Sequence, residues 1–391
     1  MEKIIFLVRG YFTSRDYSRF GIETLQKEGF NVEVWDLTNV LHPEFRAKYM
    51  PPDPSDYTGL TVFEDKKTTY KSLAKIESNV VVLNMMSYCG STLGVYRALS
   101  RSRAFYAVCN ANSIPIMTVN GAWISFLLER FRMMMIMGPL KTWKRLLISL
   151  PFRWLGVRPA DLILLGGQMS LNCNYPLDDR TEILYGHTLD YDIYLKERGN
   201  LNDERNIAVF LDEFYPFHPD CEMILGKPLI SDKKYYPDLN DFFDLVEEKT
   251  GLEIVIAAHP RSNYEDMPDF FRGRKCVRGK TMDLVKNSRF VISHCSTSVN
   301  FAVFFNKPVI FITCSELDKS SDGPYIREKA KWMGKEPLFI DRLGEADIDW
   351  DFELKVNKEF YDNYRKSYIK TDDSDDRPFW KIVAGKLKEG A

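Results

Sequence analysis

No two cysteines in this sequence stand at C-x-x-C spacing; the seven present, at 89, 109, 173, 221, 276, 295 and 314, are scattered and odd in number. That pattern argues against a zinc site or a disulfide framework and for a reduced, cytoplasmic thiol set. No uncharged apolar stretch reaches the roughly 18–20 residues that cross a bilayer. The opening "MEKIIFLVRG" has too short an apolar run for a signal peptide and reads as a first strand. A soluble, cytoplasmic chain is expected, at most peripheral at the inner face of the cell membrane. Charge of one sign is not in excess either: the net value of −2 gives no global reason to expect nucleic acid as a partner. Glycine-rich phosphate loops of the P-loop or G-x-G-x-x-G kind are missing, which argues against a classical ATP or dinucleotide site. A G-x-S-x-G elbow is missing too, which leaves a serine hydrolase poorly supported.

What is present is an ordinary globular composition, 45% hydrophobic and 28% charged over 391 residues, enough for two domains with their own cores. "KIIFLVRG", "FNVEVWDLT", "NVVVLNMM" (79–86), "IPIMTV" (114–119) and "ADLILLGG" (160–167) are apolar runs of the kind buried on both faces of a parallel sheet. Helical spacing is expected between them, over 13–28 and through "GVYRALSRSRAFYAVCNANS". The charged stretch "KERGNLNDERN" (196–206) reads as an interdomain linker. A second alternating series then follows: "IAVFLDE" (207–213), a helix near 237–249, "LEIVIAAHP" (252–260), a helix near 280–287, "RFVISH" (289–294), a helix over 297–305 and "PVIFIT" (308–313). The fold class expected is α/β with two Rossmann-like domains, 1–200 and 201–360, and a cleft between them. The tail, 361–391, is expected to form helices packing back across that cleft.

In an open parallel sheet, ligands bind beyond the carboxyl ends of the strands. Four segments of the second series bring reactive side chains to that edge. "FLDE" ends on Asp212 and Glu213, whose side chains point to opposite faces, so that only one of them enters a cleft. "AAHPRS" brings His259, Pro260, Arg261 and Ser262, and "RGKT" brings Lys280 and Thr281 at a helix start. "SHCSTS" brings His294, Ser296, Thr297 and Ser298 to a helix N-terminus, where unpaired amides and small hydroxyls suit a phosphate. One such hydroxyl alone would read as an ordinary N-cap. His218 follows in the aromatic loop "FYPFHPDCE", and Asp232 stands at the mouth of the next helix.

Together "FLDE", "AAHPRS" and "ISHCSTSVNFAVFFNKPVIFI" resemble the second domain of GT-B glycosyltransferases that use CMP-activated acidic sugars, the bacterial sialyl, Kdo and pseudaminic acid transferases of surface polysaccharide assembly. The wording "FLDEFYPFHPD … YYPDLNDFF … AAHPRS" is closest in style to the retaining β-Kdo transferases. The resemblance covers roughly 207–315. It implies that a D/E-D/E-G motif supplies the catalytic carboxylate, matched here by Asp212 and Glu213, with His259 beside them. It implies that H-P contacts the nucleotide, matched by His259 and Pro260, and that the hydroxyl motif Ser296 to Ser298 holds its phosphate. Phe214 stands where that motif has glycine, and which acid reacts, as base or as nucleophile, stays open. The donor implied is a CMP-sugar, with no cofactor and no metal; "DYD" (190–192) and "DIDWD" (347–351) lack the strand context of a D-x-D metal site.

The acceptor implied is a glycan or lipid-linked glycan, held by the first domain around Arg9 and Tyr11 and by His218 and Asp232. Segment 130–158, basic, apolar and without an acid, suits an anionic membrane surface or equally an ordinary core helix. The same edge groups suit a UDP- or GDP-sugar or CDP-glycerol donor, and a non-catalytic, two-lobed sugar or nucleotide binding protein shares the plan.

Overall fold

The computed structural model describes residues 2–44, 49–51, 53–115, 148–199, 205–344 and 348–389. The chain divides into two compact units, Met1–Ala111 with Thr118–His187 and Asp373–Ala391, and Asn112–Met117 with Thr188–Asp372. The break expected at 200/201 is thus met by a division between His187 and Thr188. The reason is local: Lys196 and Glu197, read as linker, complete the helix Leu189–Glu197. The last helix, Phe379–Glu389, belongs to the first unit rather than to a separate tail.

The first unit is a seven-stranded parallel sheet of β1 (Lys3–Val8), β2 (Asn31–Asp36), β3 (Leu60–Val62), β4 (Val80–Asn84), β5 (Phe105–Asn110), β6 (Leu162–Leu165) and β7 (Glu182–Tyr185). Its order is β3-β2-β1-β4-β5-β6-β7. β4 and β6 are buried throughout, because helices cover both faces and only continuous apolar runs satisfy such a position. The helix expected through 94–113 stops at Leu99, and "FYAVCN" forms β5 instead. Its β-branched and aromatic residues pack better on a pleated sheet than around a helix. Most of the strand expected at 114–119 lies outside the described residues. Trp380, from the last helix, packs edge-on to Phe6 and donates from Nε1 to the Arg19 carbonyl at 2.8 Å. Gly21, at φ +58°, makes room for it: a Cβ there would lie 2.3 Å from the indole ring.

The second unit is a six-stranded parallel sheet of β8 (Ile207–Leu211), β9 (Glu253–Ala258), β10 (Cys276–Arg278), β11 (Phe290–Ser293), β12 (Val309–Thr313) and β13 (Leu338–Phe339). The order β10-β9-β8-β11-β12-β13 reverses direction between β8 and β11, which pair in parallel register from Phe290↔Ala208 to Ser293↔Leu211. A core of Phe210, Phe243, Ile256, Ile292 and Ile310 packs on this sheet. The helix Asp232–Thr250 supplies Leu239, Phe243 and Val246 to it from one stripe and ends at Gly251 in the left-handed conformation. The two short outer strands, β10 and β13, have no long apolar run and were not legible as strands. Among the described residues, no helix is long and apolar enough to cross a membrane.

Candidate functional site

The crevice where a doubly wound sheet reverses its strand order is where such folds bind ligands. In the second unit that point lies beyond Leu211 and Ser293, so the sequence itself delivers Asp212, Glu213, His294 and Cys295 there. Asp212 is buried. Its Oδ1 accepts from the Phe214 amide at 2.9 Å and the Tyr264 hydroxyl at 3.2 Å, and its Oδ2 accepts from the His259 amide at 3.1 Å. Burial pushes its carboxyl up to about 6, against those three donors. This acid ties the ends of β8 and β9 together.

Phe214 explains the departure from the glycine of the D/E-D/E-G motif. Its φ is +54°, in the left-handed region glycine favours, so the turn is kept although the residue is not. The buried ring offsets the strain by packing 5.1 Å from Tyr264 and 5.5 Å from Phe217.

Glu213 points the other way and keeps partial exposure. Both of its carboxyl oxygens accept from the Cys295 amide at 3.2 Å, and Oε1 also accepts from the Tyr215 hydroxyl at 3.3 Å. Burial pushes this carboxyl up to about 7; the Cys295 amide and the charge of Lys329 pull it down, and Asp322 pushes it further up. Of the two acids left open by the sequence, Glu213 is the one that keeps exposed surface.

The hydroxyl triplet is half-buried around the start of a short helix, Val299–Phe304. Ser296 Oγ accepts from the Ser298 amide at 3.3 Å, and the amides of Val299, Asn300 and Phe301 turn back onto Ser296, Thr297 and Ser298 carbonyls. Among the described residues, nothing accepts from the amides of Ser296 and Thr297. Lys329 lies beneath this turn, buried, with Nζ donating to the Ser296 carbonyl at 2.7 Å and the Cys295 carbonyl at 3.1 Å. Sequence reading missed it. The available signal was its phase: Ile326, Lys329 and Ala330 share the buried face of the helix Gly323–Trp332.

His294, expected at the ligand edge, is instead enclosed in the core. Its Nδ1 donates to the Ile312 carbonyl at 2.8 Å and its Nε2 accepts from Tyr235 at 2.9 Å, while burial lowers its imidazole to about 4. A neutral ring with both nitrogens used holds β11 to its neighbours. Ser262 is likewise buried, its hydroxyl closing a turn onto the His259 carbonyl at 2.8 Å.

His259 is half-buried and follows β9; Pro260 denies the strand another amide donor. Its Nδ1 accepts from the Arg261 amide at 3.2 Å, which places the proton of the neutral ring on Nε2. His218 stacks obliquely on it, 4.8 Å between ring centres, with Nδ1 accepting from the Asp220 amide at 3.1 Å. Burial lowers the His218 imidazole, opposed by Asp220 and assisted by Arg261. Arg261 pairs with Asp220 at 2.5 Å. Lys280 is exposed at the N-cap of the helix Thr281–Asn287, with Thr281 half-buried beside it. Asp232 is the first residue of the helix Asp232–Thr250, in the usual place for a first-turn acid.

In the first unit the sheet reverses between β1 and β4, beyond Val8 and Asn84. Arg9 reaches the Cys89 sulfur at 3.9 Å there, and Tyr11 meets the Tyr49 ring edge-on at 6.2 Å. Burial works against ionisation of the Cys89 thiol, but hydrogen bonds from Ser91 and Thr92 and the charge of Arg9 lower it. Segment 130–158 falls largely outside the described residues. In the part that is described, Trp154 is exposed, while Arg153 pairs with Asp178 and Arg158 with Asp161. Of the two D-x-D lookalikes, Asp190 is buried and accepts from Asn300 Nδ2 at 3.1 Å, and Asp349 caps the helix Trp350–Glu353. Among the described residues no three His, Cys, Asp or Glu side chains gather as a metal set.

No protein-family model matches the sequence, and no curated protein matches it. Solved structures do match. The wall teichoic acid polymerase TagF aligns over 100% of this chain and 90% of its own, with 13% identity and a TM-score of 0.52. The UDP-GlcNAc 2-epimerase of Methanocaldococcus jannaschii, solved with UDP-GlcNAc and UDP, aligns over 100% of both chains with 12% identity and a TM-score of 0.49. MnaA of S. aureus, solved with UDP, aligns over 98% of this chain and 95% of its own, with 13% identity and a TM-score of 0.48. The likeness to TagF is one of fold: two Rossmann-like units of parallel sheet on the GT-B plan.

Proposed function

We propose that this protein is a GT-B glycosyltransferase that moves a group from a nucleotide-activated donor to a glycan or lipid-linked glycan acceptor. One observation carries the reading. At the strand reversal of the second unit, a carboxylate with partial exposure, Glu213, accepts from the Cys295 amide next to the amides of Ser296 and Thr297, from which nothing accepts among the described residues. Those amides and the hydroxyls of Thr297 and Ser298 suit a donor phosphate, with His259 and Lys280 as further donors.

Glu213 takes the proton of the acceptor hydroxyl as its oxygen bonds to the transferred carbon. The bond from that carbon to the phosphate oxygen breaks, and the nucleotide leaves with the electron pair. A carboxyl raised to about 7 is matched to that proton transfer near neutral pH. Asp212 is the positioning residue, holding the His259 amide. The acceptor is assigned to the first unit, around Arg9 and Tyr11, and the cytoplasmic, peripheral location goes with a lipid-linked acceptor. The CMP-linked acidic sugar rests on the sequence resemblance alone; UDP-, GDP- and CDP-linked donors suit the same groups.

A thermal-shift panel of CMP, CDP, UMP, UDP and GDP tests the reading and sorts the donors. Stabilisation by at least one nucleotide, lost when Thr297 and Ser298 are both changed to Val, is expected. A panel in which no nucleotide raises the Tm overturns the reading; stabilisation by UDP or GDP alone removes the CMP-sugar.

A further inference from the structure

We propose that Lys329 is a positioning residue that turns the Ser296 and Thr297 amides outward and keeps Glu213 ionised; the proposal rests on the transferase reading above. The helix Gly323–Trp332 follows β12 and carries Lys329 on its buried face beside Ile326 and Ala330. The lysine is 1% exposed, and its ammonium spends two donors on consecutive carbonyls, those of Cys295 and Ser296. Anchoring both carbonyls on one side fixes the peptide planes, so the amides that follow, of Ser296 and Thr297, face away from the lysine.

The same backbone links the two charges. Cys295 gives its amide to Glu213 and its carbonyl to Lys329, and the two side chains do not pair directly. Each ion therefore favours the charged form of the other at short range in a site with little water. Asp322, at the N-cap of the same helix, works against ionisation of Glu213, while burial lowers the Lys329 ammonium and the charges of Glu213 and Asp190 oppose that. Tyr215 and the Cys295 thiol, 3.2 Å apart, both stay neutral because burial raises them well above their ordinary values. Lys329 and Asp322 thus act on Glu213 in opposite senses.

A merely structural lysine would lower stability and leave the ionisation of Glu213 where it is. The test is a pH titration of the Glu213 side-chain carboxyl by 13C NMR in the full chain, assigned by its loss in Glu213→Gln. Lys329→Met is expected to move the midpoint up by roughly one pH unit or more. Lys329→Arg, which keeps the charge, is expected to stay near the wild type. Asp322→Asn, at a partly exposed position that tolerates change if Lys329→Met does not fold, is expected to move the midpoint down. The acid limb of turnover follows the same shifts. Midpoints that do not move, or that move in the same direction in Met and Asn variants, overturn the proposal. Midpoints that move as expected in a protein that turns over no nucleotide-activated donor uphold the pairing and count against the transferase reading instead.

Discussion

Glu213 and Lys329 hold one residue from its two ends: the Cys295 amide donates to the glutamate at 3.2 Å, and the Cys295 carbonyl accepts from the lysine at 3.1 Å. Through that residue the end of β8, the turn after β11 and the helix Gly323–Trp332 become one unit of chemistry. Asp212, one position earlier, serves the opposite side by holding β9.

Asp212→Asn tests that division of labour. With the folded carboxyl raised to about 6 from an ordinary 3.8, the folded chain holds more protons than the unfolded one between those values. Wild-type stability therefore falls as pH rises through that window, by about 3 kcal/mol from this group. Asparagine copies the shape of the protonated acid, so the variant should lose that slope. Urea denaturation at pH 4 and pH 7 checks it; equal pH dependence in the two proteins would show that Asp212 is not enclosed as described.

His294 contributes the opposite slope, which His294→Phe should remove. A buried imidazole lowered to about 4 leaves the folded chain with fewer protons than the unfolded one between about 4 and 6.5. Wild-type stability from this group is complete above 6.5 and is lost as pH falls through 4, a change of about 3 kcal/mol. Phenylalanine removes the slope but strands the Tyr235 hydroxyl and the Ile312 carbonyl, at a cost of about 1–3 kcal/mol each. Nucleotide affinity measured by calorimetry should change little, because the ring does not reach the ligand edge.

Phe214 offers a test of backbone strain. Truncation to alanine removes the buried ring and keeps a side chain at φ +54°, whereas glycine removes the strain as well. Both variants should be less stable than wild type, and Phe214→Gly should be the more stable of the two by about 1 kcal/mol. Chemical denaturation decides, and alanine equal to or better than glycine would contradict the turn geometry.

Strands such as β1 and β8 were legible because residues buried on two faces leave long apolar runs, as in "IIFLV" and "IAVFL", whereas β5 read as helix and the short β10 and β13 left no such run. The carboxyl ends of the strands were legible for a related reason, since polar residues that interrupt such runs stand at strand ends. Individual roles were harder to read. His294 and Glu213 both follow buried strands, and only tertiary packing decides that one ring is closed off by Tyr235 while the other side chain is not. Lys329 sits in the charged string "REKAKW", where the composition reads as a solvated face. Its spacing from Ile326 was the cue, and burial of a cation is rare enough to override it. The boundary at 187/188 was hidden because no change of composition marks it.

Turnover should also survive metal removal, since the donor charge is met in this account by backbone amides, His259 and Lys280 rather than by an ion. Assay of transfer after exhaustive treatment with EDTA checks this; activity lost on chelation and restored by a divalent cation would contradict it.

Glu213→Gln, assayed side by side for nucleotide binding by calorimetry and for transfer from the donor identified by the thermal-shift panel, meets the central claim most directly. The amide keeps the size of the side chain and an acceptor for the Cys295 amide but cannot take a proton. Binding should stay within a few-fold of wild type while turnover falls by about 10²–10⁴. Turnover retained in Glu213→Gln and lost in Asp212→Asn would contradict the assignment.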